Sequence, residues 1–355
     1  MVLTVWQCIN NAFSRLAIID SATSVIWTKR FQAAGEFEVY IRATSELLKL
    51  FTLPELFLTQ DNDNGAMCVE KIQLTTNATD GNYLTITGRS AESLIARRIV
   101  SKQTNLDSKT ETAIRKLMNE NVVNPSVARR KITVISLESS HGWNETIRQQ
   151  ITGKNLLEAI TDICVSYHYG VKLDFTGSGF VFKLYKGTDR SYDQSVNTFV
   201  VFSPEFENIG NTNYSRDKST YYNSVYVAGQ GEGSDRIVEN VTTTGKSDLD
   251  LREMWIDARN ESTTTDDGEI PEAEYRQMLA QEASKEIALA RETTEFSGEL
   301  LDNNLYTYGT DYNLGDKVSV KNEFGITGSA IVSEIIEVDD EQGHRIYPTL
   351  SEWSV

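Results

Sequence analysis

The run Glu36-Phe37-Glu38-Val39-Tyr40-Ile41-Arg42 alternates charged or polar side chains with apolar ones at every step. That period of two belongs to a β-strand with one face on a core and the other in water; a helix would scatter Phe37, Val39 and Ile41 around its axis. Neighbouring stretches read the same way. Leu16 to Asp20 and Val25 to Trp27 are short β-rich runs, and Ser21-Ala22-Thr23-Ser24 between them reads as a hairpin connection. Met67 to Thr75 and Tyr83 to Thr87 flank Asp80-Gly81, a dipeptide suited to the positive φ of a tight hairpin, and Asp61 to Gly65 reads as a turn. Ser90 then caps a helix with Leu94, Ile95 and Ile99 on its apolar side.

The middle of the chain mixes the two periods. Residues 108–119 read as a helix with Ile114, Leu117 and Met118 at helical spacing behind Ser108 or Thr110 as cap. Residues 156–169 carry the clearest helical pattern, with Asn155 as N-cap, a stripe of Leu156, Ile160, Ile163, Cys164 and Tyr167, and Gly170 beyond the last turn. Val171 to Phe175 and Phe180 to Tyr185 flank Gly177-Ser178-Gly179 as a hairpin. Strands return at Thr220 to Val227, Asp316 to Lys321, Ala330 to Val338 and Ile346 to Trp353, and Leu251 to Ile256 breaks a polar stretch rich in Thr and Asp. A helix interrupts the strands: Pro271 stands at its start, Tyr275, Leu279, Ala283, Ile287 and Ala290 line one side as far as about Thr293, and Glu272, Glu282, Glu286 and Glu292 the other. Two β-rich regions thus bracket an α+β segment, and the second is itself interrupted by a long helix.

Charge narrows the function classes. The 355 residues carry 34 basic and 51 acidic groups, a formal charge of −17, and 31 of the acidic groups follow residue 200. A protein that grips phosphates displaces counterions with Lys and Arg, so binding of nucleic acid by bulk charge is excluded. With 39% hydrophobic residues and five Pro, the composition is that of a folded chain long enough for two or three cores. Cys8, Cys68 and Cys164 are odd in number, far apart and outside any CxxC, and read as free thiols in a core. The first fifteen residues lack a basic cluster, and Thr4 and Gln7 break their apolar run; neither an export signal nor membrane insertion by this chain is expected.

No motif carries a reaction. Asp61-Asn62-Asp63-Asn64-Gly65 suggests a calcium loop, but the register puts Ala66 where glycine is needed and Ile72 where a bidentate Glu is needed, so a turn on Asn64-Gly65 is the better reading. Gly88-Arg89-Ser90-Ala91-Glu92 is like a nucleophile elbow with Glu92 in place of its second glycine, which leaves Ser90 as a cap. Gly229-Gln230-Gly231-Glu232-Gly233 lacks the Lys and the following helix of a phosphate loop, and Glu232 and Asp235 repel phosphate. His141, His168 and His344 show no ligand spacing. No catalytic residue, cofactor or metal ligand is assigned, and an acidic, β-rich chain without such motifs points to assembly rather than catalysis.

Val25-Ile26-Trp27 is followed by Gly35-Glu36-Phe37-Glu38-Val39-Tyr40-Ile41, Val69-Glu70-Lys71-Ile72, Leu84-Thr85-Ile86-Thr87-Gly88-Arg89-Ser90 and Leu94 to Ile99. Later come Tyr222-Asn223-Ser224-Val225-Tyr226-Val227-Ala228-Gly229, Leu314-Gly315-Asp316-Lys317-Val318-Ser319-Val320 and Ile331 to Val338. In this order and spacing the chain resembles the siphophage tail-tip or baseplate hub proteins, a tail-associated family similar to the myophage baseplate hub. The resemblance implies a β-rich α+β multidomain fold: two barrel-like antiparallel β domains with an α+β insert between them and a helical insertion in the second barrel. On that plan residues 1–100 form the first barrel, 101–199 the α+β middle domain, 200–230 with 296–355 the second barrel, and 231–295 the insertion with the long helix.

It also implies a homotrimer at the tail tip of the virion, whose six barrels match a six-fold tail tube. Its expected partners are a distal tail protein ring, the tail tube, the tape-measure protein and receptor-binding proteins. Such a hub closes the tube and then lets the genome through; DNA passes without specific binding, and the acidic surface after residue 200 is expected to face that channel. Relatives often continue into a fibre, a peptidase or a cell-wall hydrolase; no such extension is expected within this length, which leaves lytic activity to a partner. Two other readings stand beside the hub. A tail-associated cell-wall hydrolase needs paired carboxylates or a Cys/His couple in a cleft, and a carbohydrate-binding receptor-recognition protein needs exposed Trp and Tyr.

Overall fold

A computed structural model describes all residues except 62, 78, 80, 266–267, 302–304, 326 and 355, so Asn62 of the first turn and Asp80 of the hairpin lie outside the described residues. The first ninety residues form β1 (Leu3–Ile9), β2 (Ala12–Ile19), β3 (Ser24–Arg30), β4 (Glu36–Arg42), α1 (Ser45–Phe51), β5 (Leu56–Gln60), β6 (Ala66–Asn77) and β7 (Gly81–Ser90). The middle holds β8 (Thr104–Lys109), α2 (Thr110–Met118), β9 (Ile135–Leu137), β10 (Thr146–Ile151), α3 (Leu156–Tyr167), β11 (Gly170–Phe175) and β12 (Phe180–Tyr185). Next come β13 (Val201–Phe202), β14 (Ile209–Asp217), β15 (Ser224–Ala228), β16 (Val238–Thr242), β17 (Glu253–Asp257), β18 (Thr264–Thr265), β19 (Gly268–Glu269) and α4 (Glu272–Leu289). The last strands are β20 (Thr293–Leu300), β21 (Lys317–Lys321), β22 (Thr327–Asp340) and β23 (Gly343–Ser354).

One 13-stranded sheet runs in the order β14-β20-β23-β22-β3-β4-β7-β6-β5-β1-β2, with β21 also paired to β22 and β13 to β21. This corrects the expected pair of barrel-like domains. Among the described residues no sheet closes on itself; the N- and C-terminal β regions instead share one open sheet. The reason lies in the pairing of β3. It runs antiparallel to β22, with Trp27 opposite Glu337 and Thr28 opposite Ile336, and on its other side meets β4, with Trp27 opposite Phe37. The hairpin expected across residues 21–24 does not form. Asn10 and Asn11 take φ of 52° and 64°, the two-residue turn whose twist suits antiparallel strands, so β2 folds back on β1 and β3 is left for the centre of the sheet.

The alternation in β4 holds: Phe37, Val39 and Ile41 are at most 3% exposed and join Leu3, Val5, Trp27, Leu58, Leu84 and Ile86 in the N-terminal cluster. Phe202, Phe296, Val318, Val332, Ile335 and Leu350 form the C-terminal one. The middle packs Ile114, Leu117, Ile160, Ile163, Phe180 and Phe182 into a third, and Val225, Val227, Tyr275, Leu279 and Ala283 make a small fourth. Local ends differ from the pattern. Residues 91–97 form a 3₁₀-helix whose preceding Ser90 makes no side-chain cap; its Oγ instead accepts from the Gly35 N–H at 2.8 Å. Neither Ser108 nor Thr110 caps α2, which follows Lys109 and runs on as a π-helical turn to Val123. Asn155 caps α3 as expected, accepting from Leu157 N–H at 3.0 Å. The helix ends on left-handed His168 (φ 52°), while Gly170 opens β11, where an added Cβ would lie 2.4 Å from the Tyr185 ring.

Helix α4 packs one side on β15 and β16 and lays another against α3 and β10. Glu282 and Glu286, on the face opposite the apolar stripe, are therefore only 18% and 19% exposed. Gln149 Nε2 donates to Glu282 Oε2 at 2.9 Å, Arg148 pairs with Glu274, and Ser262 N–H donates to Gln150 Oε1 at 2.7 Å. Glu261 lies in this seam with Glu282 and Lys285 of α4 and with Lys154 and Asp162 of the middle region. Burial first, and then the Glu282 carboxylate, push its pKa up to about 8 against the pull of Lys285. A carboxyl raised in the folded state favours folding while protonated: the contribution is complete below the unfolded value near 4.5 and is lost as pH rises through about 8. The thermal midpoint is expected to decline across that window, and Glu261→Gln to flatten the decline. Equal slopes in melting curves of the two proteins would remove Glu261 as the cause.

Candidate functional site

An open sheet leaves two edges. At one, β2 pairs only with β1 among the described residues, and the register slips between Val5 and Trp6 so that Leu16 drops out of the ladder. Leu16 and Ile18 are 39% and 54% exposed, and Ile9 beside the turn is 52% exposed. At the other, β14 pairs only with β20 among the described residues and is polar, with Asn213, Tyr214, Ser215 and Arg216 exposed. Arg216 pairs with Glu292. An edge that offers apolar side chains beside free backbone donors and acceptors is a template for another strand, which soluble proteins normally blunt with charge or Pro. β2 is therefore the first surface to suspect of meeting another chain.

A cleft of about 480 Å³ lies where the sheet, β11, β12 and residues 308–316 meet. Lys29 Nζ stands 2.8 Å from both Asp63 Oδ2 and Glu337 Oε1, and 5.5 Å from the centre of the Tyr308 ring. Burial disfavours the charge on Lys29, but Asp63 and Glu337 together outweigh it and raise its pKa; the same lysine holds Asp63 low against its own burial. Burial pushes the Tyr308 hydroxyl up to about 12, with Lys29 opposing. Asp316 accepts from Thr188 N–H at 2.7 Å, Asn313 N–H at 3.0 Å and Arg190 Nε at 2.8 Å. Asp174 pairs with Lys183 at 2.7 Å and Lys172 at 3.4 Å. Opposite charges cancel across the cleft, so its chemistry is that of a lock joining chain segments up to 308 residues apart.

The motifs weighed from the sequence lie apart from one another. Glu92, beside the elbow-like Ser90, is raised chiefly by burial and accepts from Leu173 N–H at 2.7 Å, bracing β11. In the glycine-rich loop Gln230 N–H donates to the Tyr275 hydroxyl at 3.0 Å, and Gly229 packs so closely that a Cβ would lie 2.4 Å from that oxygen. His141 stacks on Trp143 with ring centres 4.7 Å apart and has Nε2 2.9 Å from Leu184 O, His168 follows α3 as its C-cap, and His344 is the second residue of β23, opposite Asp339. Cys8, Cys68 and Cys164 are free thiols; burial pushes Cys68 up to about 12 and raises Cys164 as well. Among the described residues no group of three or more His, Cys, Asp or Glu is placed to hold a metal ion, and no helix is long and apolar enough to cross a membrane. The β2 edge and the Lys29 lock escaped the motif search. Asn10-Asn11 was a readable hairpin signal for the first, whereas the second has no local signature.

Comparison with curated proteins gave no match. Three solved structures share the fold along nearly the whole chain. A tail protein from Neisseria meningitidis MC58 superposes with a TM-score of 0.59 at 14% identity, covering 99% of this chain and 96% of that one. The 43 kDa tail protein of prophage MuSo2 from Shewanella oneidensis gives 0.59 at 11%, covering 99% and 98%. A prophage tail protein from Listeria monocytogenes EGD-e gives 0.52 at 12%, covering 99% and 94%. The model of the family described as Siphovirus ReqiPepy6 Gp37-like protein matches residues 2–350. With that match over nearly its full length, and with a fold shared with phage tail proteins as the order of its motifs led one to expect, the chain belongs to the Siphovirus ReqiPepy6 Gp37-like protein family.

Proposed function

We propose that the chain is a structural hub of a phage or prophage tail tip, acting without catalysis in the distal part of the virion. Three copies form a ring that closes the tail tube, anchors a distal tail protein ring and other tail-tip proteins, and leaves a channel through which the genome passes. The family match over residues 2–350 carries this reading, and the apolar, unpaired β2 edge supports it as the place where a neighbouring strand docks. If β2 of one copy meets β14 of the next, the contact is heterologous, and three such contacts close a ring.

Light scattering is expected to give a trimer, alone or with the distal ring protein. Replacing both Leu16 and Ile18 with Lys is expected to leave the chain folded, with a stability change within about 0.5 kcal/mol per site, and to abolish the trimer. A monomer under every condition, or a double variant that still assembles, would overturn the edge as interface.

The channel reading also includes the charge. Residues 221–290 hold 15 acidic and 6 basic groups, a large share of the acidity after residue 200. A bore lined by carboxylates withholds the cations that would retain DNA. A cryo-EM map of the assembled tip that puts this segment outside the ring, around a neutral or basic bore, would refute that part. A peptidoglycan-release assay is expected to detect no activity.

A further inference from the structure

Residues 93–106 and 121–137 contain no Asp or Glu, yet between them they carry Arg97, Arg98, Lys102, Arg129, Arg130 and Lys131. In a chain of formal charge −17 that is a local reversal of sign. The fold brings the two segments together. Arg98 Nε donates to Arg130 O at 2.7 Å, Arg130 donates back to Ile99 O and Ser101 Oγ, and its Nη2 donates to Asn121 Oδ1 at 3.1 Å. Val100 N–H donates to Lys154 O at 2.9 Å and Leu156 N–H to Arg98 O at 3.0 Å, which fixes the first segment on the start of α3.

The positive charge is not neutralised where it stands. Among the described residues Arg98, Lys102, Arg129, Arg130 and Lys131 have no carboxylate within ion-pair distance, and Arg97 meets Glu55 at 3.4 Å with both side chains about half exposed. Other carboxylates nearby are taken: Glu120 pairs with Lys116 at 3.9 Å, and Asp162 with Lys154. Burial first, and then the Arg130 and Arg97 charges, lower the Arg98 pKa, as expected of cations crowded without a counter-charge. Lys102, Arg129 and Lys131 are exposed, and Ile99 and Val127 are 51% and 44% exposed, so apolar surface lies within the basic one.

We propose that this surface docks a short acidic segment of a partner protein, its carboxylates on the guanidinium and ammonium groups and an apolar side chain against Ile99 and Val127. Arginine forks match carboxylates with paired hydrogen bonds, and the Arg98 and Arg130 side chains are already held by backbone carbonyls, so they have little freedom left to lose on binding. Arg beside exposed apolar groups is also a composition found at protein interfaces. The borders of the patch limit the size of the occupant. Gln103 Nε2 donates to Thr264 O at 3.2 Å, and Glu269, opposite Thr264 in the β18–β19 pair, is exposed there, while Glu55 stands at Arg97. A long polyanion or a flat anionic membrane would run past the patch onto those carboxylates and the acidic remainder of the chain. A short segment stays within a screening length, about 8 Å, of the cations. The site stands independently of the ring.

The test follows the full chain by fluorescence anisotropy with a labelled peptide of Glu-Glu-Leu repeats, with oligo-dT of equal charge as a second probe and co-sedimentation with phosphatidylserine vesicles as a third. Saturable binding of the peptide is expected, weakening with added salt, with oligo-dT and vesicles bound less well. Arg129→Glu and Lys131→Glu together are expected to weaken it about tenfold, and Ile99→Ser several-fold, with unchanged melting because these side chains are exposed. Lys71→Glu, an equally exposed reversal on β6, is expected to change nothing. Absence of saturable peptide binding, equal affinity of wild type and the Arg129→Glu, Lys131→Glu variant, or an equal loss on Lys71→Glu overturns the proposal. Tighter binding of oligo-dT or of the vesicles than of the peptide also overturns it, and makes the patch a phosphate-binding surface instead.

Discussion

Trp27→Ala is expected to lower the free energy of unfolding by about 3–5 kcal/mol and to weaken both ends of the chain together. Trp27 is 1% exposed, with its ring centre 5.9 Å from that of Phe37. Truncation removes a large buried ring and leaves a cavity that neighbouring strands, held in register on both sides, cannot collapse to fill. Its strand is also the one that joins the N-terminal β region to the C-terminal one, through β4 and β22. Urea unfolding followed by hydrogen exchange should show amides of β4 and of β22 losing protection in step. Wild-type protection in β22 and β23 beside a weakened β4 would mean that the continuous sheet is not one cooperative unit.

Asp316→Ala is expected to cost about 3 kcal/mol, because it strands partners rather than merely deleting a contact. The carboxylate is 4% exposed and ends three hydrogen bonds, from two backbone N–H groups and from Arg190, whose own side chain is 19% exposed. Without it those donors lose their acceptor, and residues 188–190 keep their backbone hydrogen bonds to Lys317, at 3.0 and 2.7 Å. Asp316→Asn keeps an acceptor of the same shape and is expected to lose about 1–2 kcal/mol. Denaturation of both variants beside wild type checks the order; an alanine variant as stable as the asparagine one would show that the buried donors find water instead.

Much of the local structure was legible because side-chain periodicity is a local quantity. The β4 alternation, the hairpins over residues 66–90 and 170–185, and helix α3 behind Asn155 all appear where the pattern placed them. Pairing was less legible. The stretch at residues 21–24 looked like a hairpin turn because both flanking runs were β-rich and short, but a turn only permits pairing, and Asn10-Asn11 offered β2 a better one. The two barrels came from resemblance, and the β3–β22 ladder, which brings Arg30 beside Glu334, overrode them. The apolar β2 edge was hidden for a related reason: Leu16 and Ile18 in a strand ordinarily announce a core, and only the strand's place at the end of the sheet exposes them.

By itself the sequence determined many of the strands and helices, the apolar face of β4 and α3, the acidic balance and the phage-tail resemblance, since these depend on neighbours within a few residues or on the order of motifs. Only the tertiary structure decided that one open sheet unites the two ends, that Lys29 meets Asp63 and Glu337, and that Trp255 stacks on Tyr226. Those outcomes depend on contacts between residues tens to hundreds of positions apart. Such contacts are selected by the packing and pairing of the whole chain at once, and no local period records them.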